Sequence, residues 1–181
     1  MITYFLTVPG LGSSGSNHWQ TIWEEEHPEI FSRVEQEDWD VPVAEKWVET
    51  LNESIKKLNS PTLLIAHSLG CLTVVHWAQK YTSSNIAGIL LVAPADAERE
   101  SFPKEISGFS PIPTQRLPFE SVIVASTNDE YATIERAKEW AEKWGSQFVN
   151  IGALGHINAN SNIADWKVGK GIINSIFSTS L

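Results

Sequence analysis

The five-residue segment at 66–70, with the sequence AHSLG, constrains the fold of this chain more than any other feature. It follows an apolar run that is typical of a buried strand, and it opens into an apolar segment that favours a helix. A strand, a sharp turn and a helix around a serine are the structural context of a nucleophile elbow. Only small residues fit two positions before and after the serine in such a turn, and Ala66 and Gly70 stand there. The pattern predicts that Ser68 lies exposed at the end of a sheet, above a helix N-terminus.

The pentapeptide alone leaves two interpretations of Ser68 open. A serine with small neighbours after a strand is often an ordinary turn residue or a helix N-cap, and a short motif is a hypothesis that needs its structural context. The catalytic interpretation therefore depends on whether other residues supply a base, an acid and donors for an oxyanion.

Apolar strands alternate with helical segments along the chain, which predicts an α/β fold. Strands that are apolar throughout are typical of a parallel sheet covered on both faces. We expect a compact, single α/β domain over residues 1–181, with a mostly parallel central sheet of about six strands and helices on both faces. The predicted strands are Ile2–Val8, Arg33–Gln36, Thr62–His67, Ile86–Ala93, Ser121–Ser126 and Gln147–Ile151. The predicted helices are His18–His27, Val43–Leu58, Leu69–Lys80, Tyr131–Trp144 and Trp166–Phe177.

Composition and charge narrow the classes of partner. A formal net charge of −9 disfavours nucleic acid and anionic membranes as main partners, so we expect a small-molecule substrate; protein partners stay open. No segment approaches the ~20 apolar residues of a membrane span, and the N-terminal segment has the pattern of a strand rather than of a signal peptide. The single cysteine, Cys71, excludes an internal disulfide, and we expect a reducing, cytoplasmic environment.

Of the five histidines, His156 has the best position for a base that activates Ser68. It follows the last predicted strand in a glycine-flanked loop, at the edge where parallel sheets place their sites. His18 is the alternative, because it begins a helix beside the first glycine-rich loop. If His156 is the base, His18 becomes a candidate pocket residue.

A histidine base needs an acid that fixes its tautomer and stabilises the imidazolium. Asp129 follows the strand Ser121–Ser126, which gives the chain order Ser68, Asp129, His156 of α/β-hydrolases. Asp96 is the alternative acid, one strand earlier. Asp129 could instead be the N-cap of the helix that follows it.

An oxyanion hole needs two donors directed at the developing charge. We expect them to be the backbone N–H of Leu69, directly after the serine, and that of Leu11 in the glycine-rich loop after the first strand. Gly10 would let this loop approach the site closely. The loop lacks the Lys-Ser/Thr pair of a nucleotide-binding P-loop, and no His or Cys pair stands at metal-ligand spacing, so we expect no metal and no cofactor.

The segment Pro94–Pro118 interrupts the alternation of strands and helices, and it contains five prolines. A connection of this length is usually functional or mobile, and we predict that it caps the substrate pocket. Its candidate lining residues are Phe102 and Phe109. Trp19, beside the glycine-rich loop, is a further candidate.

Taken together, these segments resemble the small serine hydrolases of the retinoblastoma-binding-protein-nine and YdeN type, a compact branch of the α/β-hydrolase fold. The resemblance covers almost the whole chain, and it departs from the usual pattern in Ala66, where the elbow commonly has glycine, and in Glu130, where proline commonly follows the acid. It implies the triad Ser68, Asp129 and His156 and a cofactor-free hydrolase of esters or similar acyl bonds. The segments that carry it are VPGLG at 8–12 with HWQ at 18–20, QEDWD at 36–40, HSLG at 67–70, STND at 126–129 and GHINA at 155–159.

Three functions agree with these residues. A serine hydrolase that cleaves small acyl esters through an acyl-enzyme is the leading hypothesis. An acyltransferase would use the same triad with another acceptor. A non-catalytic binding module on a hydrolase scaffold is the third, although a pure binder has no need of all three triad residues.

Overall fold

Parallel strands form one central sheet in the computed structural model, which describes residues 2–179 and 181. Within these residues the sheet has six strands in the order β2-β1-β3-β4-β5-β6, and every strand pair is parallel. The strands are β1 (Tyr4–Val8), β2 (Phe31–Arg33), β3 (Thr62–His67), β4 (Ile86–Val92), β5 (Ser121–Ala125) and β6 (Gln147–Asn150). The helices are α1 (Trp19–Glu26), α2 (Ala44–Lys56), α3 (Leu69–Lys80), α4 (Ile134–Trp144), α5 (Lys167–Phe177) and a short 3-10 helix at Ala159–Ser161. The predicted α/β fold is confirmed.

Helices cover the sheet on both faces, and this explains why its strands are apolar at every position. In β3, Leu64 and Ala66 belong to the core cluster formed with α2, α3 and α4. The alternate residues Leu63 and Ile65 belong to a second cluster with α1 and α5. Because successive side chains of a strand point to opposite faces, a strand between two helical layers needs apolar residues throughout.

Most element boundaries lie within two residues of the prediction, and two differ from it by three residues for identifiable reasons. The second strand lies at Phe31–Arg33 rather than Arg33–Gln36, because it pairs only with β1 at the sheet edge, and a short edge strand has little hydrophobic pattern to set its register. Helix α4 begins at Ile134 rather than Tyr131. Thr133 is its N-cap and accepts a hydrogen bond from the amide of Arg136 at 3.1 Å, so the preceding residues are free to form a loop at the end of β5.

The turn after β3 is packed directly against the end of β1. Ser68 has φ 55° and ψ −123°, a conformation that residues other than glycine rarely adopt. A methyl group at Gly70 would lie 2.1 Å from the carbonyl oxygen of Val8 and 2.6 Å from that of Pro9. The sequence requires glycine at this position because the backbone of β1 occupies the space of a side chain.

This packing predicts opposite effects for two glycine substitutions. Gly70→Ala should lower the free energy of unfolding by about 3 kcal/mol, because the added methyl group overlaps backbone atoms that cannot move independently. Gly171→Ala is the matched control: Gly171 lies in α5 with open space around its Cα, so alanine should stabilise the helix by about 0.5–1 kcal/mol. Urea denaturation of both variants measures the difference. Similar changes in both variants would contradict the close approach of β1 to the elbow.

Candidate active site

Three side chains from three different strand ends form a continuous hydrogen-bonded chain. The Oγ of Ser68, after β3, lies 2.8 Å from Nε2 of His156, which follows β6. The Nδ1 of His156 lies 2.9 Å from both carboxylate oxygens of Asp129, which follows β5. A carboxylate accepts but does not donate, so Nδ1 carries the hydrogen and Nε2 accepts from the Ser68 hydroxyl. The structure thus brings together the predicted nucleophile, base and acid.

The structure also distinguishes a catalytic Ser68 from a serine that serves only as a helix N-cap. Although Ser68 is the N-cap residue of α3, its side chain makes no capping hydrogen bond. Its amide donates to the carbonyl of Val92 at 3.0 Å, and its own carbonyl accepts from Cys71 at 3.0 Å. The backbone is therefore held on both sides of the turn, while the hydroxyl is directed to His156.

The two candidate acids have different partners. The Asp129 side chain is only 5% exposed and faces His156, and it also accepts from the amide of Tyr131 at 2.9 Å. The carboxylate of Asp96 instead contacts the guanidinium of Arg136 at 3.3 Å and accepts from the amide of Glu98. Asp129 is not the N-cap of α4, since Thr133 has that position.

Hydrogen bonds join the loop that carries Asp129 to the loop that carries His156. Ser126 donates its hydroxyl to the side-chain oxygen of Asn128 and accepts from the amide of Leu154 at 2.8 Å. Asn128 also accepts from the amide of Gly155 at 2.7 Å. These contacts fix the separation of His156 and Asp129. The position of Asp129 after a strand singled it out in the sequence, whereas Asn128 stood out only through the family resemblance.

Two further contacts hold the histidine loop from the side of β3 and α1. The indole N–H of Trp19 donates to the carbonyl of Ile157 at 2.8 Å. His67 Nε2 lies 2.9 Å from the carbonyl of His156, and because a carbonyl only accepts, Nε2 of His67 is the donor. Burial lowers the pKa of His67 well below its usual value, so His67 is neutral and keeps its other ring nitrogen unprotonated.

His18 lies in the wall of the site but does not reach Ser68 as a base. Its Nδ1 accepts from the amide of Gln20 at 3.2 Å and so caps α1. Burial, assisted by the nearby charges of Arg33 and His156, lowers the pKa of His18 to about 3. Gln20 in turn accepts from Ser14 at 2.7 Å and donates to the carbonyl of Ile65 at 2.9 Å. This buried network joins the glycine-rich loop and α1 to the strand that carries Ser68.

The glycine-rich loop after β1 lies against the elbow. A methyl group at Gly10 would be 2.8 Å from Cβ of Ser68 and 3.2 Å from the amide nitrogen of Leu69. The loop is held further along by the amide of Gly12, which donates to the carbonyl of Trp39 at 3.0 Å. Neither the Leu69 amide nor the Leu11 amide donates a hydrogen bond to another described residue.

A cavity of about 350 Å³ opens at Ser68 and His156. Gly10 and His18 line it as predicted, and so does Phe102 from the segment Pro94–Pro118. Its other apolar lining residues include Leu11, Pro103 and Ile106.

Trp19 and Phe109 do not line this cavity, and their predicted placement there was wrong. Trp19 is fully buried under the sheet, with its ring 4.8 Å from that of Trp166. Phe109 is 1% exposed and packs against Trp47. Both aromatic rings belong to the hydrophobic core, where burial of a large apolar ring is favourable.

Comparisons with known proteins agree with this geometry. A model of the serine hydrolase family matches residues 5–175. The chain belongs to the serine hydrolase family. It is 31% identical to a YdeN-like hydrolase from Pectobacterium atrosepticum, with 97% of this chain and 90% of that chain covered and a TM-score of 0.84. No curated protein matches the chain.

Two other solved structures show how widely the fold of this serine hydrolase is shared. The ydeN gene product from B. subtilis is 18% identical, with 98% of this chain and 100% of that chain covered and a TM-score of 0.81. A monoacylglycerol lipase from Paleococcus ferrophilus is 14% identical, with 97% and 94% covered and a TM-score of 0.70. At these identities the likeness shows the α/β-hydrolase fold alone. Across residues 2–179 and 181, no helix is long and apolar enough to cross a membrane.

The two phenylalanines of the segment Pro94–Pro118 should respond differently to substitution. Phe109→Ala should cost about 3–5 kcal/mol of unfolding free energy, because it leaves a cavity in a buried core. Phe102→Ala should instead change the order of kcat/KM along a series of p-nitrophenyl esters of increasing acyl length, because it removes part of the cavity wall. Thermal melts and the ester series test both variants. The same stability loss in both, with the ester order retained, would place Phe102 in the core.

The low pKa of His18 predicts a pH-dependent stability. His18 stays neutral in the folded protein down to about pH 3, whereas it takes up a proton near pH 6.5 when unfolded. The unfolded state therefore binds more protons as the pH falls, and the free energy of unfolding should drop by about 2 kcal/mol from this group between pH 7 and pH 5. His18→Asn keeps a side-chain cap for α1, and its free energy of unfolding should fall by about 2 kcal/mol less over the same pH range. Urea denaturation of both proteins at the two pH values gives the comparison, and an equal loss in both would refute it.

Proposed function

We propose that this serine hydrolase cleaves small acyl esters, or similar acyl bonds, through a Ser68-His156-Asp129 triad. The observation that carries the proposal is the unbroken hydrogen-bonded chain from Ser68 through His156 to Asp129 at the mouth of an apolar cavity. In this arrangement the hydroxyl is activated by a base whose tautomer is set by a buried carboxylate. The reaction needs no cofactor or metal.

The first half of the reaction forms an acyl-enzyme. The Ser68 oxygen attacks the substrate carbonyl while its proton moves to Nε2 of His156, and Asp129 stabilises the imidazolium that results. The carbonyl oxygen becomes an oxyanion, which accepts hydrogen bonds from the amides of Leu69 and Leu11. Their backbone donors are unused within the described residues, so they can serve without breaking another bond. His156 then gives its proton to the departing alcohol as the carbon–oxygen bond breaks.

Water completes the second half. His156 takes a proton from water as the water oxygen attacks the acyl carbonyl, and it returns that proton to Ser68 when the acid leaves. The cavity wall formed by Phe102, Pro103 and Ile106 is apolar, and this favours an acyl chain as the group that occupies the cavity. These residues make the segment Pro94–Pro118 the cap of the pocket. A lipase among the structural neighbours, which acts on monoacylglycerol, is consistent with an ester substrate.

Fluorophosphonate labelling tests the nucleophile without a known substrate. The probe should modify Ser68 in the folded protein near neutral pH, and mapping of the labelled peptide identifies the residue. Ser68→Ala should abolish both the labelling and the hydrolysis of p-nitrophenyl butyrate. Labelling at another residue, or none at all, would instead support a binding module without turnover.

Asp129→Asn tests the acid against its alternative. An asparagine at this position favours the wrong tautomer of His156, and such a change can lower kcat by ~10⁴. Asp96→Asn is the matched control, because Asp96 is also a loop aspartate at a strand end but contacts Arg136 rather than His156. It should lower kcat by less than about tenfold. Steady-state kinetics on one ester measure kcat for both variants. A larger loss of kcat in Asp96→Asn than in Asp129→Asn would make Asp96 the acid.

A further inference from the structure

Arg99 gives the cavity a positive charge that the proposed chemistry does not use. Its side chain lines the cavity together with the apolar wall and with Ser68 and His156. Two buried histidines of the lining, His18 and His67, are neutral because burial lowers the pKa of each. Asp96 is already paired with Arg136.

The carboxylates of Asp96 and Glu98, close to Arg99 in the sequence, pair with Arg136 instead. Arg136, from α4, contacts Asp96 at 3.3 Å and Glu139 at 2.9 Å, and it also pairs with Glu98. Glu98 further accepts from the amide of Ile112 at 2.8 Å. Across the described residues, no carboxylate lies within 4.0 Å of Arg99. Arg99 therefore forms no ion pair with the described residues, unlike Arg136.

Arg99 is nevertheless held in place. Its Nη1 donates to the carbonyl of Glu130, and its guanidinium carbon lies 5.4 Å from the centroid of the Tyr131 ring. The other neighbour of that ring is His156, at 4.3 Å between ring centroids. One aromatic ring thus separates the cation from the base. Since one of the five N–H donors of Arg99 binds Glu130, the remaining donors are available to a ligand.

We propose that Arg99 selects substrates that carry a carboxylate in addition to the acyl bond. A guanidinium presents paired donors that match the two oxygens of a carboxylate. The net charge of −9 disfavours the binding of anions over the surface as a whole. Arg99 therefore attracts a carboxylate at the cavity, where the substrate enters. This inference rests on the proposed function, and it adds the substrate class to it.

Matched pairs of esters test the selection. In the first pair the charge is on the acyl side: the 4-methylumbelliferyl monoester of adipic acid is compared with its terminal carboxamide. In the second pair it is on the alcohol side: 4-acetoxybenzoate is compared with 4-acetoxybenzamide. The quantity measured is the ratio of kcat/KM for the carboxylate to that for the carboxamide. We expect a ratio of about ten in one of the two pairs, which corresponds to one charge-assisted hydrogen bond. High salt should reduce it.

Three variants assign that ratio to Arg99. Arg99→Gln should bring it to about one, and Arg99→Lys, which keeps the charge but not the planar donors, should leave an intermediate value. Arg116→Gln makes the same change of net charge at an exposed position outside the cavity wall and should keep the ratio of the unsubstituted protein. The lysine variant keeps the test decisive if the glutamine variant does not fold.

The outcomes separate this inference from the proposed function. Hydrolysis of the neutral esters with a ratio near one in both pairs would overturn the role of Arg99 and leave the triad intact. An equal loss of the ratio in Arg99→Gln and Arg116→Gln would assign it to the general charge of the protein, which also overturns the inference. If no ester is hydrolysed and Ser68 is not labelled by a fluorophosphonate, the proposed function itself fails.

Discussion

The contact between the end of β1 and the first turn of α3 leaves no space for a methyl group at Gly70. This close approach brings the loop after β1 against the elbow, so that Gly10 lies beside Ser68 and Leu69. The same turn holds Ser68 in a backbone conformation that costs about 1–3 kcal/mol. Packing of β1, β3 and α3 supplies that free energy, since most residues of these three elements are buried. The positions of Ser68 and of the proposed oxyanion donors therefore depend on one backbone contact.

The positions of His156 and Asp129 depend on a set of hydrogen bonds between loops. Strand ends place His156 and Asp129 at the same edge of the sheet, but parallel pairing alone does not set their distance to within a hydrogen bond. Asn128 does so by accepting from Gly155, and His67 and Trp19 do so by donating to the carbonyls of the histidine loop. The two side-chain donors, Trp19 and His67, are buried, where an unsatisfied group would be costly. These bonds hold the loop of His156 in place beside Ser68.

The fold and the positions of Ser68, Asp129 and His156 could be predicted because they follow from order along the chain and from strand ends. Parallel strands bring their carboxyl ends together, so a serine, an aspartate and a histidine that follow three strands of one parallel sheet converge without knowledge of any side-chain contact. The direction of an individual aromatic side chain is different. Phe102 and Phe109 share one irregular segment, yet one lines the cavity and the other fills the core. Periodicity cannot distinguish them, because a segment without helix or strand has no repeating face.

The two departures from the family pattern have simple structural settings. Ala66 is fully buried in β3 between its neighbours Val8 and Leu91, so its methyl group is accommodated in the interior of the sheet. Glu130 has an exposed side chain and contributes its carbonyl to Arg99. A carbonyl is available from any residue, including proline, so the contact does not depend on which side chain follows the acid.

The two arginines near the cavity, Arg136 and Arg99, differ in their carboxylate partners. Arg136 binds the carboxylates of Asp96, Glu98 and Glu139, whereas Asp129 contacts His156. The pairing of Arg136 with Asp96 and Glu98 agrees with both proposals: Asp129 as the acid, and Arg99 as the residue that binds a substrate carboxylate.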